Sequence, residues 1–204
     1  KRLDTATARI RDSEEEVFGE LRVTTTLGFG TLWLAPRLPT LFEKYPELNL
    51  DLMLEERVLA LPMREADVAI RMKEPSQADL IRKRLMSVHM CLFATQEYLD
   101  VEAGATLVQE LMTYEVPALL TVNNYFGVLQ SVLGNLGIGV LPNYVSHDFP
   151  QVVRVLPEIQ SSDVPVFLAY PSELRHSQRI AAFRDFVQDE IVGYRKRLQN
   201  QSDS

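Results

Sequence analysis

Three consecutive hydroxyls, Thr24, Thr25 and Thr26, stand where the apolar run Leu21-Arg22-Val23 gives way to Leu27-Gly28-Phe29-Gly30 and a helical pattern. A strand-to-helix turn of that composition offers side-chain hydroxyls and unpaired backbone amides at the positive end of a helix. Such groups hold a carboxylate or another polar group by hydrogen bonds; they do not attack it. A threonine here can also cap the helix or bond a neighbouring strand. Successive strand residues face opposite ways, so at least one of Thr25 and Thr26 is expected to face a ligand cleft. Asn123, Asn124 and Tyr125 form a second turn of the same kind, after an expected strand at 119–122 and before an expected helix at 126–133. Either asparagine suits the helix N-cap, and a cap at a strand's carboxyl end can still border a ligand. Gly137 and Gly139 allow close backbone approach or simply a tight turn into a strand. Arg71 ends an apolar strand and offers either a planar fork for an anion or a salt bridge to Glu55, Glu56 or Glu74. With Leu27, Phe29 and Phe93 as apolar neighbours, the mixture suits a small organic acid or aromatic metabolite better than a sugar.

Reactive chemistry finds little support. His89, His147 and His176 are dispersed, without metal-ligand partners at useful spacing. No nucleophile elbow, phosphate-binding loop or dinucleotide fingerprint occurs, so neither a catalytic residue nor a cofactor is expected. Glu14-Glu15-Glu16 reads as a solvated helical face. The single cysteine, Cys91, lies in the apolar run 88–94, where a buried, inert thiol is expected. One cysteine excludes an internal disulfide and suits a reducing cytoplasm. No run of about 18 apolar residues is present, so no membrane span is expected. The formal net charge of −7 argues against DNA binding by this chain, since duplex affinity rests on lysines and arginines neutralising phosphates. Arg82-Lys83-Arg84 and Arg195-Lys196-Arg197 read as short solvated clusters.

The 204 residues suffice for one domain or two small ones. Strand, helix, strand, short helix and strand follow one another from Gly19 to Arg71, with the second strand at 49–54 and the third at 66–71. That alternation implies right-handed crossovers in a parallel sheet, with ligands at the carboxyl ends of the strands. A strand at 88–94 leads into a helical turn at 95–99 and carries the chain into a second lobe. Strands at 138–141 and 152–156 follow, and a strand at 165–170 crosses back. A last helix, from about Ser177 to Leu198, carries Ile180, Phe183, Phe186, Val187, Ile191 and Tyr194 on one core-facing stripe. These elements predict two α/β lobes joined by two crossover strands, with a cleft between them.

The run Gly19-Glu20-Leu21-Arg22-Val23, the Leu34-Ala35-Pro36 helix, the turn Tyr45-Pro46-Glu47-Leu48 and Asp67-Val68-Ala69-Ile70-Arg71 together resemble the effector-binding domain of a LysR-type transcriptional regulator. Val122-Asn123-Asn124 and Leu136-Gly137-Ile138-Gly139-Val140-Leu141-Pro142 continue the order, and the likeness covers roughly Phe18 to Ile191. The resemblance implies a fold of two Rossmann-like lobes of the type 2 periplasmic-binding-protein kind. Residues 1–17 would be the end of a linker helix and 18–204 the effector-binding domain, with lobe I at about 18–92 and 171–198 and lobe II at about 93–170. A cytoplasmic small-molecule effector would bind between the lobes, at Thr24, Thr25, Thr26, Leu27, Phe29, Arg71, Phe93, Asn123, Asn124, Tyr125, Gly137 and Gly139. The domain would pair with itself as a dimer or tetramer through the helix at 32–42 and its counterpart near Phe126, with Trp33, Leu34 and Leu41 as apolar contacts. DNA would be reached only through an N-terminal helix-turn-helix outside this chain, and no membrane is involved. A solute-binding protein for uptake is the alternative on the same architecture, and an enzyme on that scaffold a further one. Between Asp100 and Val101 the sequence is shorter than the family pattern, which implies either a natural deletion or residues missing at that junction, the second being the favoured reading.

Overall fold

The computed structural model describes residues 17–55, 65–101, 106, 110 and 118–202. The expected linker helix, the acidic run Glu14–Glu16 and the short helix after the second strand therefore fall wholly or almost wholly outside the described residues.

Strand β1 (Gly19–Thr25) buries Leu21 and Val23 while Glu20 and Arg22 stay exposed, the alternation of a strand with one covered face. It pairs in parallel with β2 (Leu48–Leu54) in a register that sets Leu21 beside Leu50 and Thr25 beside Leu54. It also pairs in parallel with β3 (Val68–Arg71), so that Thr24 lies beside Ala69. Adding β4 (Leu80–Val88) and β8 (Val164–Pro171) completes a five-stranded sheet of order β2-β1-β3-β8-β4, in which β8 runs antiparallel to β3. The last helix, α6 (Gln178–Ser202), buries Ile180, Phe183, Phe186, Val187, Ile191 and Tyr194, the predicted stripe. It is tied to this sheet by Arg195, which donates to the Leu85 carbonyl oxygen at 3.1 Å, and by Arg179, which donates to the Glu20 carbonyl oxygen at 3.0 Å.

A second, three-stranded sheet has the order β6-β5-β7, with β5 (Met90–Thr95) antiparallel to both β6 (Gly139–Pro142) and β7 (Val152–Gln160). The helical turn α3 (Gln96–Leu99) follows β5, helix α4 (Tyr125–Leu133) precedes β6, and the turn α5 (Val145–Asp148) joins β6 to β7. The strand expected at 88–94 is thus two strands in two sheets, broken at His89. By its contacts the chain divides into unit 1 (1–26, 35–86 and 165–204) and unit 2 (27–34 and 87–164). The chain changes unit at 86/87 and 164/165 rather than near 92 and 171, because β4 and β8 hydrogen-bond in one sheet while β5 and β7 hydrogen-bond in the other. Residues 27–34 side with unit 2, which the sequence pattern did not foretell.

The helix expected over 32–42 is interrupted. A single turn, α1 (Leu27–Phe29), widens into a π-type turn at Gly30–Leu34 and tightens into a 3-10 turn at Ala35–Arg37 before α2 (Leu38–Lys44) begins. Pro36 explains the break, since it lacks an amide and its ring collides with the carbonyl four residues back; Pro39 is tolerated in the first turn of α2. Trp33, Leu34 and Leu41 are completely buried within the chain, so the expected subunit contact through them is corrected: they serve the local core. Residues 118–124 form no strand, with Leu119 80% exposed, so Asn123 and Asn124 follow an extended loop instead of a strand end.

Candidate functional site

In unit 1 the carboxyl ends of β1 and β3 lie side by side and bring Thr24, Thr25 and Arg71 together. Thr24, Ala69 and Arg71 share one face of the sheet. The Arg71 guanidinium is buried and donates to Thr24 Oγ1 at 2.8 Å and to the Ile70 carbonyl oxygen at 3.0 Å. Burying a guanidinium is costly unless its protons are bonded, so the Thr24 hydroxyl acts structurally by holding the fork. Thr25 points to the opposite face with Leu21 and Val23. Its side chain is completely buried, and Thr25 Oγ1 has no hydrogen-bond partner among the described residues. Its own carbonyl is satisfied by the Glu55 amide at 2.8 Å. A buried hydroxyl without a partner costs about 1–3 kcal/mol, and an acceptor or a water placed there would recover it. Thr26 is half-buried and ends this part of unit 1.

In unit 2 the other two groups of predicted residues adjoin. Helix α4 is capped by Asn124, whose Oδ1 accepts from the Gly127 amide at 2.8 Å. Asn124 therefore takes the capping role, and its Nδ2 donates to Asn123 Oδ1 at 3.1 Å, leaving Asn123 exposed beside the helix start. Gly28 of α1 lies against Tyr125: a Cβ on Gly28 would sit 2.7 Å from Tyr125 Cδ2. The turn after β1 and the α4 N-terminus thus meet, with half-buried Leu27 next to the contact.

Three further predicted ligand contacts, Phe29, Phe93 and Gly139, are buried in packing contacts. Phe29 and Phe93 are each 1% exposed. Phe29 stacks on Trp33 at 4.8 Å between ring centres and meets the edge of Tyr144 at 5.9 Å. Phe93 sits opposite Gly139 in the β5–β6 ladder. Gly139 is buried because α4 approaches β6 closely: a Cβ there would lie 2.5 Å from Val132 Cγ2 and 2.9 Å from Val128 Cγ1. Gly137 is half-buried, and the nearest atom to a Cβ there would be the Tyr98 hydroxyl at 3.9 Å. The Phe29–Trp33 spacing of four was a readable sign of their stacking, whereas the Gly28–Tyr125 approach joins residues nearly a hundred apart and left no local mark.

Burial pushes the Cys91 thiol above its ordinary range, with Arg154 opposing, so the thiolate is disfavoured. Among the described residues no group of three His, Cys, Asp or Glu side chains could hold a metal ion, and no helix is long and apolar enough to cross a membrane.

The LysR substrate binding domain family model matches residues 14–115 and 105–191. The chain belongs to that family. It is an effector-binding domain of the LysR type, with the two-lobed α/β fold of type 2 periplasmic-binding proteins. An uncharacterized HTH-type transcriptional regulator of Haemophilus influenzae is 20% identical over 202 residues, covering 85% of this chain and 70% of its own length. The HTH-type transcriptional regulator PtxR of Pseudomonas aeruginosa is 23% identical, covering 93% of this chain and 70% of its own length. Its alignment spans 217 residues against a chain of 204, so PtxR has residues without a counterpart here. The family model matches in two stretches that overlap at 105–115. Among solved structures, the regulatory domain of CrgA from Neisseria meningitidis superposes with a TM-score of 0.71 at 22% identity, covering 86% of this chain and all of its own. The relatives are transcriptional regulators, not transporters.

Proposed function

We propose that this LysR-type domain senses a small organic acid or aromatic metabolite through polar groups at the carboxyl end of β1. The observation that carries the reading is the buried Thr25 hydroxyl, which has no partner among the described residues and lies one residue from the Thr24–Arg71 pair. A carboxylate or hydroxyl accepting from Thr25 Oγ1 would remove the cost of that burial. Asn123, exposed at the start of α4, is the candidate polar contact of unit 2. Sensing needs only a difference in affinity between two states of the protein, so no reactive group is required. In the whole regulator, DNA would be read by a helix-turn-helix outside this chain, in the cytoplasm, and the domain would self-associate. For that contact α2 leaves Phe42 exposed and α4 leaves Tyr125 and Phe126 exposed.

A thermal-shift screen of organic acids, amino acids and aromatic compounds tests the reading. A compound that stabilises the wild type should lose its effect in Thr25→Val and weaken in Asn123→Ala. Stabilisation undiminished in both variants would overturn the assignment of the site.

A further inference from the structure

Two basic runs that lie far apart in the sequence come together in unit 1. Strand β4 forms one edge of the five-stranded sheet, and its residues Arg82, Lys83 and Arg84 are all exposed. Helix α6 lies beside it: Lys83 Nζ donates to Gln188 Oε1, and Arg195 donates to the Leu85 carbonyl oxygen at 3.1 Å. Arg195 and Lys196 are exposed too, so the positive surface runs from the strand edge onto the helix. Side chains alternate along a strand, so Lys83 reaches toward α6 while Arg82 and Arg84 flank the other side of the edge. Arg197 folds back along the helix, where a Cβ on Gly193 would lie 3.3 Å from its Nη1.

Residues 80–88 and 191–202 hold six basic side chains and no carboxylate, in a chain whose formal net charge is −7. Arg82, Lys83 and Arg195 donate to neutral oxygens, those of the Gln77 carbonyl, the Gln188 amide and the Leu85 carbonyl. Such bonds position the cations without cancelling their charge. Of the acids on the preceding turns of α6, Asp185 is bonded to Arg184 at 2.8 Å and Glu190 is paired with the buried Arg37 at 3.8 Å, while Asp189 adds one negative charge at the margin. The cations form a row and do not converge on one point, which suits an extended polyanion better than a small anion. Duplex DNA presents a phosphate about every 3.4 Å of axis on each strand, close to the roughly 3.3 Å advance of a β-strand per residue.

We propose that the β4 edge and the adjoining side of α6 form an auxiliary surface for the DNA backbone. It contacts phosphates without reading sequence, while the helix-turn-helix outside this chain reads the bases. The proposal rests on the reading of the chain as one domain of a DNA-binding regulator. Negative charge over the rest of the domain repels duplex and so steers it to meet DNA with this side.

Fluorescence anisotropy of a labelled duplex of about 20 base pairs and arbitrary sequence, titrated with this domain at about 20 to 100 mM salt, measures the contact. The slope of log K against log salt should be about −3 to −5, since each cation that neutralises a phosphate contributes about 0.9. Arg82→Gln and Lys196→Gln, both at exposed positions, should each bring the slope about one unit closer to zero. Lys44→Gln removes the same charge from α2 and should leave the slope unchanged. No binding at the lowest salt, or a slope that Arg82→Gln and Lys196→Gln change no more than Lys44→Gln does, overturns the proposal. Poly-L-glutamate held more tightly than the duplex at equal charge would assign the surface to an acidic protein, and overturns it as well. Neither result bears on the effector reading, whose own test is stabilisation by small molecules.

Discussion

Replacing Thr25 by Val separates the two things its hydroxyl does. Valine keeps the β-branched shape that suits β1 and removes only the oxygen. Thr25 Oγ1 is completely buried without a partner among the described residues, so the wild-type domain carries the cost of a desolvated hydroxyl, about 1–3 kcal/mol. The substitution should therefore stabilise the free domain by about 1 kcal/mol, which for some 200 residues raises the Tm by about 2–4 °C. The effect on binding has the opposite sign. A hydroxyl bonded to a charged ligand contributes about 1.5–3 kcal/mol, so the same variant should bind a carboxylate effector about 10- to 150-fold more weakly. Urea unfolding followed by circular dichroism gives the first number, and titration calorimetry with a hit from the screen gives the second. A less stable Thr25→Val would show that the oxygen already has a partner, such as a buried water, and would remove the basis for assigning it to a ligand. A more stable variant with unchanged affinity would leave the hydroxyl as stored strain with no role in recognition. Gain of stability with loss of binding is the signature of a site group.

Other perturbations follow from the same geometry. Gly139→Ala puts a Cβ 2.5 Å from Val132 Cγ2 on a buried strand, and should destabilise the domain by about 1–3 kcal/mol in denaturant titration. Asn124→Ala removes the cap that accepts from the Gly127 amide and should lower stability by about 1 kcal/mol, with Asn124→Asp or Ser restoring most of it. Cys91 is buried and its thiol is pushed up, so at pH 8 a disulfide reagent should label it only as fast as the domain opens; rapid labelling of the folded protein would contradict the burial.

Much of unit 1 was legible because its signals are local. The parallel β1–β2 pairing shows in two short apolar runs with a helical pattern between them, and the face of α6 shows in spacings of three and four. Chain breaks were not read from the sequence, whose patterns predict one helix over 32–42 and one strand over 88–94. Pro36 carries the signal for the first break but falls inside that predicted helix, and nothing local says that residues 27–34 pack with unit 2. The apolar run at 88–94 reads as one strand because hydrophobicity does not reveal that its two ends bond to different sheets, with His89 as the seam. Of the candidate site, residue types identified the polar turns, while their roles came only from contacts. The sequence offered three equivalent threonines; the structure gives Thr24 to Arg71 and leaves Thr25 without a partner among the described residues.

Trp33, Leu34 and Leu41 show why counting apolar residues misleads about interfaces. A surplus over one helical face was expected to mark a subunit contact. The interrupted backbone from Leu27 to Lys44 turns successive side chains through changing angles, so one segment buries residues that a straight helix would leave outside. Trp33 and Leu34 are adjacent in sequence and both completely buried, which a straight surface helix does not readily permit. Phe42 on α2 and Phe126 on α4, both exposed, lie outside that surplus. If the domain pairs, these are the side chains to change: Phe126→Ser should shift light scattering toward the monomer, whereas Leu41→Ser should unfold the domain.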